Sequence, residues 1–86
     1  MKTIHKFPLL VVFTEQTIEI PFCSNLIKFN LQNNTYPVLY FIVDTNAILI
    51  KRNFILIFTN KPIPENSNYI DTFEIENLVY HLFELL

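Results

Sequence analysis

The amino-acid sequence predicts a mostly β fold, a small antiparallel β-sandwich or partly open barrel of about six or seven strands. Three observations predict it. Short runs of β-branched and aromatic residues recur along the chain, with period-two alternation in the clearest examples. Asparagine and proline punctuate those runs. Hydrophobic residues make up 51% of the chain and charged residues 16%, a balance that supplies a core and excludes a disordered polar chain. The 86 residues make one domain, residues 1–86.

The opening Met1 to Phe13 sets Lys2 and Lys6 ahead of the apolar run Phe7 to Phe13, which imitates a signal peptide. The run is short, contains Pro8 and has no small-residue cleavage site after it, so a signal peptide is not expected. Gln16-Thr17-Ile18-Glu19-Ile20 alternates cleanly and closes at Pro21. In Leu26 to Gln32 the same alternation puts Ile27, Phe29 and Leu31 on one face and Lys28, Asn30 and Gln32 on a wet one. Asn33-Asn34 then predicts a hairpin turn, because asparagine tolerates the left-handed conformation that such turns demand.

Tyr36 to Asp44 and Arg52 to Thr59 are apolar on both faces and are expected in the middle of the sheet system. Thr45 to Lys51 connects them, with a short strand expected at Ala47 to Ile50. Asn60 to Asn68, with Pro62 and Pro64, is the clear loop and the first place to look for function. Tyr69 to Glu74 reads as a strand followed by a tight connection near Glu76-Asn77. The C-terminal segment supports two readings. Ile75, Leu78, Val79, Leu82, Phe83 and Leu86 form a helical stripe, whereas Val79 to Phe83 has the composition of a buried strand.

Glycine is absent from the chain, which excludes dinucleotide and P-loop fingerprints that need it for close phosphate approach. One cysteine and two histidines complete no metal-ligand set, and no cofactor is expected. The net charge is -2, and the basic residues are scattered, so nucleic acid is an unlikely partner. Lys51-Arg52 is the sole basic pair, a solvated strand start or an anchor for an anion. No uninterrupted apolar stretch reaches the length of about 18 residues that a membrane span requires. The expected compartment is the cytoplasm, in keeping with an unpaired thiol.

The chain resembles a family of small uncharacterised phage and prophage proteins. Lys2 to Phe7, Glu15 to Pro21, Leu31-Gln32-Asn33, Tyr40 to Asp44, Thr59 to Pro64, Tyr69 to Phe73 and Val79 to Glu84 carry the resemblance in order over nearly the whole chain. That family is mostly β, which implies a C-terminal strand ending at His81-Leu82-Phe83. The family pattern has Thr-Gly-His-Pro where this chain reads Thr59-Asn60-Lys61-Pro62, and it has a tryptophan near Tyr40 and glycines in the last hairpin. The departure at Lys61 argues against histidine chemistry there. The resemblance implies a phage or mobile-element setting, with the host cytoplasm as the compartment, and transfers no activity.

Candidate chemistry is sparse. His81 with Asp44, Asp71 or Glu84 would make an acid–base pair, although a histidine between Tyr80 and Leu82 is more simply a packed sheet residue. Cys23 with a histidine would make a nucleophile and base, although a lone cysteine is more simply a small buried hydrophobe. Tyr36, Tyr40 and Tyr69 offer aromatic faces with polar tips. The residues singled out for binding are Arg52, Lys61, Tyr69 and His81, with catalytic and metal sites expected to be none.

A domain near this size buries only about 60% of its unfolded surface, so apolar surface is expected to remain outside and to join chains. The expected function is therefore non-enzymatic: a phage-type accessory protein that binds stoichiometrically, as a homodimer or higher homo-oligomer, a counter-defence inhibitor of a host protein complex. An oligomeric sponge for a small anionic, nucleotide-like ligand is the alternative, and a virion or structural component a third.

Overall fold

The computed structural model describes residues 1–86 as seven strands with no helix. They are β1 (Lys2–Pro8), β2 (Gln16–Pro21), β3 (Asn25–Gln32), β4 (Tyr36–Asp44), β5 (Leu49–Phe58), β6 (Ser67–Ile75) and β7 (Leu78–Leu85). They form two antiparallel sheets, a three-stranded one in the order β1-β4-β3 and a four-stranded one in the order β2-β5-β7-β6. The sheets do not close into a barrel, so the architecture is the sandwich. Its shortest dimension, 17 Å, is that of two facing layers, since stacked sheets lie about 10 Å apart. No helix is long and apolar enough to cross a membrane.

The core lies between the sheets. Leu39, Phe41 and Val43 of β4 meet Phe54 and Leu56 of β5 and Leu82 of β7, each at most 1% exposed. Phe73 and Tyr80 stack at 5.3 Å and Phe29 stacks on Phe73 at the same distance. Leu9, just past β1, is buried as well, and its amide donates to the Pro37 carbonyl at 2.9 Å. This contact ties the crossover between the sheets to the edge of β4.

The absence of glycine is met with asparagine. Seven residues hold positive φ, and five of them are Asn33, Asn34, Asn60, Asn66 and Asn77. Asn33 (φ 51°) and Asn34 (φ 54°) form the expected β3–β4 turn, closed by the Thr35 amide on the Gln32 carbonyl at 2.9 Å. Both central residues left-handed is the pattern of a type I′ turn, whose twist matches that of the flanking strands. Glu76 (φ 51°) and Asn77 (φ 69°) do the same between β6 and β7.

The structure decides between the two readings of the C-terminal segment, adds a strand at the start of the chain, and corrects the expectations for Ile27, Cys23 and the segment Ala47 to Ile50. The C-terminal segment is strand β7, as the composition of Val79 to Phe83 and the family resemblance imply. Leu78, Val79 and Leu86, which belong to the helical stripe, are exposed, while Tyr80 and Leu82 face the core. The opening residues form edge strand β1, paired along its whole length with β4. Ile27 is 48% exposed rather than buried with Phe29 and Leu31. A bulge between Leu26 and Lys28 makes Ile27 the extra residue, so Leu26 takes its place against the core. Cys23 is exposed in a left-handed turn (φ 62°) rather than buried, because Ser24 folds back there, its amide and hydroxyl both donating to the Pro21 carbonyl. The short strand expected at Ala47 to Ile50 merges into the start of β5.

Candidate functional site

The connection from β5 to β6 builds the site. These two strands run parallel with β7 between them: Phe58 at the end of β5 lies opposite Tyr80, whereas Ser67 at the start of β6 lies opposite Leu85. The connecting segment, residues 59–66, therefore travels along β7 over the outer face of the four-stranded sheet. Pro62 and Pro64 restrict its backbone, and Asn60 turns it with φ 72°. This passage explains why Phe83, which points away from the core, is only 6% exposed. Tyr69 meets it edge-on at 5.6 Å.

Between the crossing loop and the sheet lies an open groove of about 300 Å³. Ile57, Phe83 and Ile63 give it carbon walls, and Thr59, Lys61, Tyr69 and His81 supply its polar groups. Register explains the gathering. Ile57 on β5, His81 on β7 and Thr72 on β6 lie directly across from one another, and Ile55, Phe83 and Tyr69 form the adjacent row. A bulge at Ile70 restores Thr72 to the outer face.

His81 is bonded on both nitrogens. Nε2 lies 2.8 Å from the Thr59 hydroxyl and Nδ1 lies 2.8 Å from the Thr72 hydroxyl, which is in turn 2.7 Å from the Tyr69 hydroxyl. The result is a chain running Tyr69, Thr72, His81, Thr59. A neutral imidazole carries one N–H and each hydroxyl one O–H, so four hydrogens serve three bonds. One hydroxyl hydrogen is always left over. With Nε2–H the free hydrogen is on Thr59; with Nδ1–H it is on Thr72 or Tyr69.

None of the carboxylates considered for an acid–base pair bonds to His81. Glu84 is held by Arg52. Asp71 Oδ1 accepts the Thr72 amide. Asp44 accepts the Asn46 amide and the Met1 amino group, and these contacts, the backbone one foremost, hold its carboxyl below the usual value.

The structure thus gathers Lys61, Tyr69 and His81 and leaves Arg52 apart. Arg52 points into the sandwich. Its Nε and Nη2 donate to the two oxygens of Glu84 at 2.6 and 2.7 Å, Nη1 donates to the Ser24 carbonyl at 3.1 Å, and the guanidinium lies 4.9 Å from the Phe41 ring centroid. The bidentate pair is directional and strong, and it uses most of the donors that an incoming anion would need. The residues that sequence reasoning missed are Thr59, Thr72 and Phe83. Their placement depends on β7 lying between β5 and β6, a non-local pairing that no local pattern announces.

A second feature is an apolar end of the sandwich. Ile4 and Ile42 face each other across β1 and β4 and are 56% and 37% exposed. Phe22 shares a surface depression with Ile42, and its amide bonds the carbonyl of Ile48, beside Leu49. Phe22, Ile48 and Leu49 are all exposed. The sheet edges are by contrast protected, β1 by Lys2, Lys6 and Pro8, β3 by its bulge, β2 by Pro21, and β6 by its bulge and Glu74.

No curated protein and no solved structure matches the chain. A family model described as a domain of unknown function, DUF7352, matches residues 1–86, and the chain therefore belongs to the DUF7352 family.

Proposed function

We propose that this domain is a non-enzymatic accessory protein of the phage or prophage type that acts by stoichiometric binding in the cytoplasm of a host cell, as a counter-defence inhibitor of a host protein complex. The observation that carries the binding reading is the apolar end formed by Ile4, Phe22, Ile42, Ile48 and Leu49. Exposed apolar residues gathered at one end of a domain mark an interaction site, and Lys2, Asn25 and Asp44 give this one a polar rim. The guarded edges direct association to this end rather than to strand addition. Size-exclusion light scattering tests it: a homodimer is expected at tens of micromolar, and Phe22→Asp with Ile48→Asp, both at exposed positions, should return it to monomer. A chain that stays monomeric at millimolar concentration and captures no host complex sinks this reading. The setting rests on the resemblance drawn from the sequence.

The groove favours a second reading, an oligomeric sponge for a small anionic ligand. Its lining joins a cation, a phenol and an imidazole to carbon walls, the mixture of apolar surface and few polar groups that ligand sites use.

A further inference from the structure

We propose that the groove over β7 takes a planar ring bearing a single anionic group at its Thr59–Lys61 end, and that the bound anion sets the direction of the hydrogen-bond chain through His81 to Tyr69. This rests on the second reading above and goes beyond it, because it names the ligand chemistry and a change within the protein that binding produces.

The lining contains one ammonium, Lys61, and no carboxylate. One cation matches one negative charge; a di- or triphosphate would bring charges with no partner in the groove. The volume of about 300 Å³ lies at the lower end of ligand pockets, roughly 300 to 1,000 Å³, which suits a single ring system. Ile57, Ile63 and Phe83 offer carbon surface to the face of such a ring.

The anion accepts from Lys61 as a charge-assisted contact and from the one hydroxyl hydrogen that the chain can release beside it, that of Thr59. Thr59 is free to donate outward only when His81 carries its hydrogen on Nε2 and gives it to the Thr59 oxygen. Thr72 must then donate to Nδ1 and Tyr69 to Thr72. Binding at one end therefore fixes the imidazole tautomer and the orientation of a phenol three groups away.

The test uses the ¹⁵N-labelled full chain at pH 8 with two probes of single charge, cyclic AMP for a phosphate source and indole-3-acetate for a carboxylate. Saturable binding of either probe, one per chain, with His81 moving to the Nε2–H tautomer in long-range ¹H–¹⁵N spectra, supports the proposal and identifies the source. Lys61→Gln should weaken binding about tenfold or more, the loss of a charged hydrogen bond. Lys51→Gln, on β5 opposite Glu19 and outside the groove, should leave binding unchanged. Failure of both probes to bind at millimolar concentration, binding indifferent to Lys61→Gln, or an Nδ1–H bound state overturns it. Binding of a nucleoside triphosphate that ignores Lys61→Gln would overturn this site while sparing the sponge reading; no anion binding of any kind removes both.

Discussion

Strands β5 and β7 carry polar clusters on opposite faces, at different positions along their length. Arg52 and Glu84 point inward, His81 and Thr59 outward. The inward cluster is saturated, since both carboxylate oxygens and three guanidinium nitrogens are bonded and the side chains are only 20% and 14% exposed. The outward cluster always keeps one hydrogen in reserve. The difference shows how period-two alternation assigns opposite duties to the two faces of the same pair of strands. Polar groups turned to the core must be fully partnered, whereas those under the crossing loop can hold back a donor for something else.

The largest way to break this comparison is Arg52→Ala or Glu84→Ala, which leaves a largely buried charge alone. About 3 kcal/mol of stability should be lost in urea denaturation. The double variant Arg52→Met with Glu84→Leu should cost less than either single change, because no unpaired charge remains. If the single variants cost no more than a surface pair, the inward cluster is not the clasp described here. His81→Ala comes next. It removes two bonds at a partly exposed position and should cost about 1 to 2 kcal/mol, with Thr59→Val and Thr72→Val each below it. Equal costs for His81 and Arg52 would erase the distinction between the two faces.

Glu76→Gly, in the turn that begins β7, sharpens the contrast because it acts on both faces alike. Glutamate at φ 51° stores left-handed strain that glycine lacks, so the midpoint should rise by about 0.5 kcal/mol equivalent after the entropic cost of glycine, with the His81 tautomer untouched. The smallest effect belongs to Asp44, whose side chain is 46% exposed. Its carboxyl is held below the ordinary value of 3.8, so its contribution is present above that value and disappears as pH falls through the lowered one. Asp44→Asn should therefore lower the urea midpoint slightly at neutral pH and not at all in strong acid.

Much of the fold was legible because its signals are local. The alternation in Gln16 to Ile20, the Asn33-Asn34 turn, the apolar run Tyr36 to Asp44 and the connection at Glu76-Asn77 each lie where the residues predict. What escaped were effects of pairing. Ile27 sits outside because β3 bulges against β4, a fact of register that the alternation of β3 alone does not contain. Strand β1 was not announced by its own residues, whose place is set by pairing with β4 along their whole length. The helical spacing from Ile75 to Leu86 was a coincidence of two faces, since β7 buries Tyr80 and Leu82 inward and Phe83 under the loop. Lys61, Tyr69 and His81 were identifiable one at a time. Their meeting was not, because the strand order β5-β7-β6 had to be known first.

The use of asparagine at five of the seven left-handed positions, in a chain without glycine, reaches beyond geometry. A backbone with side chains throughout samples fewer conformations when denatured, by an amount worth about 0.4 to 1 kcal/mol for each glycine avoided at a compatible site. The segment spanning β7 combines Asn60 and Asn66 in fixed left-handed states with Pro62 and Pro64, so little freedom is left for a guest to remove. Capture there should be quick and rigid, a lock cut before the key arrives, with the entropic toll of ordering already met during folding.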